Sequence, residues 1–247
     1  MRVVHAEPPT FPEQAGATAF IATMKKNPWV SFRTKPPFLL PADRRVVDEF
    51  NNRTANPNYR IETRLLPEPF VGSINAPILL LLLNPGVSDE DFALQERSDF
   101  RRRVRACHRQ EPSPYPNYYL HPNMSGPGAR WTARVLKPLI KEFGVRVVAS
   151  GVTFVEYFPY HSRQFAHHRI RVPSQEFTFG LVRNALRQHA TVFISRGQRI
   201  WEEAVPELRL YRLAFTTRSK QNVVISPRNC PSGYEAAQAA LREVAAD

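Results

Sequence analysis

The sequence predicts an α/β protein, a three-layer α/β/α sandwich whose central, mostly parallel sheet has four or five strands. The first observation is a set of short, uninterrupted apolar runs of strand length, of which 78–83 and 191–195 are the clearest. Such runs are typical of strands that are buried on both faces. The second observation is that stretches with helical periodicity lie between these runs. Strands that alternate with helices form parallel sheets covered by helices on both faces.

The elements can be assigned in chain order from periodicity and from proline and glycine positions. The predicted helix over 129–143 is bent at Pro138 and ends at Gly144, and Ser174 is a candidate N-cap for the helix that follows. The predicted helices cover 42–51, 97–109, 129–143, 174–189, a segment around Trp201, and 234–245. The predicted strands cover 78–83, one or two strands within 145–158, 191–195 and 222–226. Residues 111–128 contain many prolines and predict a long surface loop.

The length of 247 residues allows one large α/β domain with a full hydrophobic core. We expect a single domain over 1–247, in which residues 1–72 form an N-terminal arm that wraps a core at 73–247. No apolar run approaches the roughly 20 residues of a membrane span. The N-terminus also lacks the apolar stretch of a secretory signal. The sequence therefore predicts a cytoplasmic, monomeric protein without a membrane partner.

Metal and cofactor chemistry has no support in the sequence. The only cysteines are Cys107 and Cys230, and no CxxC spacing occurs, so we expect reduced thiols rather than a metal or iron–sulfur site. His167 and His168 are adjacent and would point in different directions on any regular element. We therefore expect no metal and no cofactor.

The charge of the chain indicates its class of partner. Lys and Arg number 34 against 22 Asp and Glu, which gives a formal net charge of +12. A balance this basic favours a polyanion, because neutralised phosphates release counterions. Nucleic acid is the leading candidate, and a merely basic surface is the alternative.

Several polar residues follow the predicted parallel strands at their carboxyl ends, where α/β proteins bind ligands. Asn84 comes directly after the apolar run 78–83 and before Pro85-Gly86. A buried strand that turns sharply here presents one polar side chain at the floor of a crevice, with the backbone N–H groups of 86–88 available to a ligand. Alternatively, Asn84 only stabilises the turn. Arg196 and the segments 159–162 and 226–227 are expected on the same rim.

Three motifs resemble those of the uracil-DNA glycosylase superfamily, particularly its mismatch-specific branch. The segment LLNPG (82–86) is similar to the first motif of that family, FVEYFPYHS (154–162) to the segment that lines its base pocket, and ISPRNCPSGY (225–234) to its last motif. The segment VFISRGQRIWEEAV (192–205) is similar to the strand, turn and helix that precede the last motif. The resemblance spans about 78–245 in the family's order.

The resemblance implies a role for individual residues. Asn84 would position the attacking water, and the base would lie against Gly86, Val87, Ser88 and Tyr160. Family members restricted to uracil have a bulky aromatic residue just after the first motif, whereas this chain has Val87 and Ser88, which predicts space for a large group at C5. Glu156 can accept a hydrogen bond from the N4 amino group of cytosine. The alternative for Glu156 is a solvated charge at a strand end.

Two positions depart from the family pattern. Leu82 stands where the first motif usually begins with glycine, and Ser226 stands where the last motif has histidine. The missing histidine would have stabilised charge on the leaving base. Ser226 remains a candidate catalytic residue by position, and His161 could substitute for the histidine from the neighbouring strand end. A surface location is the alternative for His161.

Basic and aromatic residues outside the motifs are candidates for DNA contacts. The arginine-rich helix offers Arg101, Arg102 and Arg105 as phosphate contacts, and Tyr115, Tyr118 and Tyr119 could stack on bases or simply pack the loop. Arg196, and Arg228 with Asn229, could contact DNA near the pocket. Arg228-Asn229 is also the candidate wedge that fills the gap left by a flipped base.

These expectations define a monofunctional DNA glycosylase that flips and hydrolytically excises a modified base. Val87, Ser88 and Glu156 favour a cytosine derivative with a bulky 5-substituent, such as the glucosylated hydroxymethylcytosine of phage DNA, which would make the protein an anti-phage defence enzyme. The alternatives are a uracil or mismatch repair glycosylase, a non-catalytic nucleic-acid-binding module with the same fold, and a hydrolase of free nucleosides. The last would leave the surplus of arginine unexplained.

Overall fold

The computed structural model describes residues 26–30, 32–219 and 221–246. The strands are β1 Phe70–Val71, β2 Ile78–Leu82, β3 Val152–Glu156, β4 Thr191–Ile194 and β5 Ala214–Thr216. The helices are α1 Arg44–Arg53, α2 Asp89–Glu96, α3 Ser98–Arg109, α4 Pro127–Val135, α5 Lys137–Phe143, α6 Val145–Gly151, α7 Gln175–Arg187, α8 Gln198–Ala204 and α9 Pro231–Ala246.

The strands form one five-stranded sheet in the order β1-β3-β2-β4-β5. β2 lies at the centre and runs parallel to both β3 and β4, and β5 runs parallel to β4. Only β1, at one edge, is antiparallel to its neighbour β3. The predicted three-layer α/β/α sandwich with a mostly parallel sheet is confirmed.

The apolar runs form strands because every side chain in them is covered. The β2 residues Ile78 to Leu81 are fully buried, as are all residues of β4. Helices α6 and α7 pack on β3, whereas α9 packs on β4 and β5. Burial on both faces removes the alternating pattern of half-exposed strands, which is why these runs are continuous in the sequence.

Of the one or two strands predicted within 145–158, one is present as β3, whereas the valine-rich residues 145–151 form α6. Helix α6 packs so closely on α9 that a Cβ at Gly151 would lie 2.4 Å from Leu241 Cδ2. The strand predicted over 222–226 is wrong. Residues 222–226 form an irregular segment. Its Ile225 N–H donates to Val135 O at the end of α4, and its Val224 carbonyl accepts from the Asn229 side chain. The last strand is instead β5, Ala214–Thr216.

The helix predicted over 129–143 consists of two helices, α4 and α5, that meet at Leu136 beside Pro138. Helix α2 has no counterpart among the predicted elements. It begins directly after the Asn84-Pro85-Gly86 turn and its first turn is acidic, which suits the positive end of the helix dipole.

The described part of the segment before β2 contributes side chains to the main hydrophobic core. Trp29, Phe38, Leu66 and Phe70 are all buried in the main hydrophobic cluster, and β1 is a strand of the sheet. Residues 1–25 of the predicted arm lie outside the described residues.

No helix in the described part of the chain is both long and apolar enough to cross a membrane. Cys107 and Cys230 are free, buried thiols. Burial raises the pKa of Cys107 to about 12 and also raises the pKa of Cys230, so both stay protonated at neutral pH.

Candidate active site

A pocket of about 630 Å³ opens at the carboxyl edge of β2, β3 and β4. Asn84 enters it after β2, Glu156 ends β3, and Ser195 with Arg196 follows β4. Parallel neighbours bring these strand ends to the same edge, as the sequence predicts. The start of α4 and the loop after His161 close the remaining sides.

Asn84 lies in the pocket with its amide orientation fixed. Its Nδ2 donates to Pro85 O at 2.9 Å and to Ser162 Oγ at 2.9 Å. Both contacts use the nitrogen, and no described residue donates to Oδ1. Because an amide oxygen accepts hydrogen bonds, Oδ1 is the atom of Asn84 that can hold a water in the pocket.

The side chains of Ser162 and His167 hold the Asn84 amide in this orientation. Ser162 is 1% exposed, and its hydroxyl donates to Gln164 O at 2.9 Å while accepting from Asn84. His167 Nε2 lies 2.9 Å from the same oxygen, which assigns it as a donor because the serine proton is already used. Burial lowers the pKa of His167 to about 4, so the ring is neutral. The Ser162 oxygen is thereby saturated with one donated and two accepted hydrogen bonds.

His161 lines the pocket but is bonded to the backbone rather than exposed. It is 3% exposed, and its Nδ1 lies 2.7 Å from Gly86 O while Nε2 lies 2.9 Å from Leu66 O. The ring therefore lies between the Gly86 turn and the segment before β1, with one ring nitrogen on a backbone carbonyl of each. The alternative of a surface histidine is wrong, and the geometry favours a positioning role over contact with a leaving base.

Glu156 is the most unusual group of the pocket. It is the last residue of β3 and 7% exposed, and its Oε2 has no hydrogen-bond partner among the described residues. Burial, together with the nearby Glu68 carboxylate, raises the pKa of Glu156 well above its ordinary value. The alternative of a solvated strand-end charge is therefore wrong. Glu156 is a buried carboxylic acid that faces the pocket.

Two further acids in the pocket were missed in the sequence. Glu68 is buried and accepts hydrogen bonds from Tyr119 Oη at 2.9 and 2.8 Å, with His161 Nε2 at 3.9 Å. Burial raises its pKa, although His161 and Tyr119 oppose the shift. Asp91 accepts from Ser88 N and Ser88 Oγ at the start of α2. The Ser-x-x-Asp spacing of a capping box could have revealed Asp91. No motif or spacing in the sequence marks Glu68 as a pocket residue.

The residues after Asn84 are in the pocket as predicted. Gly86, Val87 and Ser88 all line it. The Ser88 backbone N–H and hydroxyl are both occupied by Asp91, so Ser88 is a helix cap as well as part of the wall. Val87 contributes a small apolar surface.

Two predicted site residues lie elsewhere. Tyr160 is fully buried outside the pocket, where its hydroxyl donates to Asp43 Oδ2 at 2.7 Å and accepts from Leu40 N, so it anchors the N-terminal segment instead of contacting a base. Ser226 is absent from the pocket wall and its Oγ accepts from Asn229 N at 3.2 Å. Since a short side chain so engaged does not reach the pocket, Ser226 is a turn residue.

The arginines of α3 are largely used by the chain itself. Arg101 donates through Nε to Gln95 O and pairs with Glu96 at 3.2 Å. Arg105 donates to Phe32 O at 3.2 Å and to Arg33 O at 2.6 Å, which holds the N-terminal segment. Arg102 is exposed. None of these three lines the pocket.

The loop tyrosines also have structural contacts. Tyr118 is buried, and Tyr119 bonds to Glu68 in the pocket wall. Of the two residues predicted to form a wedge, Arg228 is exposed. Both polar atoms of the Asn229 side chain, in contrast, are hydrogen-bonded within the chain. The side chain accepts from Ser219 N and donates to the carbonyls of Asn222 and Val224. Asn229 is therefore not free to enter DNA.

The rim of the pocket is basic although its floor is acidic. Arg196 is exposed at the mouth, and Arg163 also lines it and pairs with the exposed Asp89 at 2.6 Å. Three more cationic or titratable side chains, His168, Arg169 and Arg171, follow in the same loop. The basic character of this loop is hard to recognise in the sequence, because uncharged residues separate most of its charges.

The described residues contain no group of three or more His, Cys, Asp or Glu arranged to hold a metal ion. Comparison of the chain with protein-family models, with curated proteins and with solved structures finds no match. The site combines a fixed amide acceptor, a buried carboxyl group and arginines at its mouth around a cavity of about 630 Å³.

Proposed function

We propose that this protein is a monofunctional DNA glycosylase that takes a flipped, modified base into the pocket and hydrolyses its N-glycosidic bond. The observation that carries the proposal is the meeting of Asn84 and Glu156 in one large pocket at the carboxyl edge of the sheet. A base inside a duplex is inaccessible to such a pocket, so the substrate nucleotide must leave the stack.

Asn84 supplies the acceptor for the attacking water. Hydrolysis of an N-glycosidic bond develops positive charge on the sugar and negative charge on the base, and preorganised dipoles stabilise both. An amide does not titrate, so Asn84 orients the water rather than deprotonating it strongly. The hydrogen bonds from Nδ2 to Pro85 O and Ser162 Oγ fix that orientation before substrate binds.

The volume of the pocket favours a base larger than uracil. About 630 Å³ corresponds to roughly 20 water molecules at about 30 Å³ each. A bare pyrimidine has fewer than half as many non-hydrogen atoms, whereas a pyrimidine carrying a hexose at C5 has a similar number. Glucosylated 5-hydroxymethylcytosine, a hypermodified phage base, is of this size, and its excision would be an anti-phage defence.

The charge distribution supports a polyanionic substrate. Arg163 and Arg196 flank the mouth, and the chain carries a net charge of +12. A basic surface around the opening attracts phosphates and raises the rate of encounter. The phosphate backbone would stay at this basic rim while an uncharged base enters the pocket.

Mass spectrometry of released bases tests this function. Purified protein is incubated with unmodified duplex DNA and with duplex DNA containing uracil, 5-hydroxymethylcytosine or glucosylated 5-hydroxymethylcytosine. We expect release of the glucosylated base and an abasic site without strand cleavage. Asn84→Ala should reduce release about 10²–10³-fold. Asn75→Ala, at an exposed turn, is the matched control. Salt-sensitive binding with every base left intact would instead indicate a non-catalytic DNA-binding module.

A further inference from the structure

Glu156 presents a buried hydrogen-bonding group that the fold itself does not satisfy. Its Oε2 has no partner among the described residues, and the side chain is more than nine-tenths buried in the wall of the pocket. A buried polar group without a partner costs about 1–3 kcal/mol, and a ligand bound in the pocket beside Glu156 would remove that cost.

The surroundings of Glu156 favour the uncharged form of its carboxyl group. Among the described residues no cation is hydrogen-bonded to it, and Glu68 is a second buried acid in the same wall. Two neighbouring buried carboxyls do not both ionise readily, and Glu68 is the one stabilised by Tyr119 and by His161 at 3.9 Å. Burial accordingly raises the pKa of Glu156 well above its ordinary value.

An uncharged carboxyl group has one O–H donor and one carbonyl acceptor side by side. The pairing edge of cytosine has the complementary pair, an N3 acceptor beside the N4 amino donor. An ionised carboxylate would accept from N4 but would repel the N3 lone pair. The neutral acid therefore matches both atoms of cytosine at once.

We propose that Glu156 is the general acid of this site: its O–H pairs with N3 of the flipped cytosine derivative, and its proton moves to N3 as the base departs. The inference rests on the proposed glycosylase function. It specifies which edge of the base is recognised and which residue donates the proton. Protonation at N3 neutralises the leaving base directly.

The step balances as follows. The C1′–N1 bond breaks and its electron pair goes to the base, while the Glu156 proton bonds to N3, so the base leaves neutral. A water held by Asn84 Oδ1 bonds to C1′ and loses one proton to bulk water. Glu156 is left as a carboxylate and regains a proton from bulk water before the next turnover. The net reaction consumes one water.

Uracil provides a contrast within the same pocket. Its N3 already carries a proton and its departing anion is stabilised by two carbonyl groups, so uracil needs an acid less than cytosine does. Loss of the Glu156 proton should therefore slow release of cytosine derivatives much more than release of the matching uracil derivative. A merely structural role for Glu156 would slow both equally.

Glu156→Gln separates recognition from proton transfer, because a glutamine amide keeps one donor and one acceptor but cannot give up a proton. Single-turnover release is measured from duplexes that carry 5-hydroxymethylcytosine, its glucosylated form or 5-hydroxymethyluracil. We expect release of the cytosine derivatives to fall about 10²–10⁴-fold, with a much smaller change for 5-hydroxymethyluracil. Affinity for a duplex with a non-hydrolysable 2′-fluoroarabino analogue of 5-hydroxymethylcytidine should be unchanged.

Glu49→Gln, at an exposed site on α1, is the matched control for replacing a carboxyl by an amide. If the wild-type protein releases bases and Glu156→Gln slows both pyrimidines equally, or slows neither, the general-acid role is wrong while the glycosylase function stands. If the wild-type protein releases no base from any duplex, the glycosylase function fails and the acid role falls with it. Thermal unfolding of Glu156→Gln excludes a folding defect as the cause of lost activity.

Discussion

On α3, Arg101, Arg105 and Arg109 are each bonded to another part of the chain, whereas on the pocket floor a buried oxygen of Glu156 has no partner among the described residues. The arginines are conspicuous in the sequence and the glutamate is not. The arginine side chains are held by partners within the fold, whereas Glu156 combines an unpartnered buried oxygen with a place in the pocket wall. The combination of burial, a missing partner and a pocket position is what makes Glu156 a candidate functional residue.

Among residues that do not themselves contact the substrate, the largest expected effect on activity is at Ser162, which holds the Asn84 amide. Ser162→Ala removes the acceptor that fixes Asn84 Nδ2 and His167 Nε2. We expect base release to fall about 10–100-fold, because a small misplacement of the water acceptor is costly. The stability of the protein should fall as well, since the His167 donor is left buried without a partner. Ser113→Ala, in an exposed loop, is the control, and an unchanged rate of release in Ser162→Ala would show that Asn84 needs no such support.

The second effect is on stability, and its sign is opposite to that of most core substitutions. Glu156→Leu removes an unsatisfied buried carboxyl, so we expect the free energy of unfolding at neutral pH to rise by about 1–3 kcal/mol. Chemical denaturation measures this change. A decrease in stability would mean that Glu156 has a stabilising partner within the fold.

The pH dependence of stability follows from the raised pKa of Glu156. The folded protein holds this proton at pH values where the unfolded chain, with a pKa near 4.5, has lost it. The stabilisation that protonation provides is complete below that ordinary pKa and is lost as the pH rises towards and through the folded pKa. Denaturation at several pH values should therefore show a shallower decline for Glu156→Leu than for the wild-type protein. Glu68, whose pKa is also raised, should account for part of the remaining decline in the free energy of unfolding of Glu156→Leu as the pH rises.

The third effect compares two neighbours on α3. Arg105→Ala should lower the free energy of unfolding by about 1–2 kcal/mol, because it removes two hydrogen bonds to the segment at Phe32 and Arg33. Arg102→Ala, at an exposed position, should change stability by less than about 0.5 kcal/mol. Thermal unfolding distinguishes the two variants. Equal destabilisation would show that the hydrogen bonds of Arg105 are not what holds that segment.

The sheet could be predicted from the sequence because its central strands are continuous apolar runs, and Asn84 could be predicted because it ends one of them. The last strand could not, since 222–226 has the composition of a strand but its backbone groups bond to Val135 and Asn229. Glu68 was missed for a similar reason. Its place in the pocket depends on the antiparallel edge strand β1, which is only two residues long.

Tyr160 was predicted to line the pocket but lies outside it. It lies within the segment that was expected to line the pocket, yet its hydroxyl bonds to Asp43 and Leu40, which are more than 100 residues away in the chain. Sequence order predicts which strand end a residue follows, but partners supplied by a distant segment decide the direction of its side chain. The side chain of Asn229 is likewise held by hydrogen bonds within the chain, in this case to the neighbouring segment 219–224, which the sequence did not reveal.

The protonation state of Glu156 is the central claim, and infrared difference spectroscopy of the wild-type protein minus Glu156→Gln measures it directly without a substrate. We expect the wild-type protein at neutral pH to show the carbonyl band of a protonated carboxylic acid, and Glu156→Gln to lose this band. A carboxylate band in its place would show that Glu156 is ionised in the free pocket and would contradict its role as the proton donor.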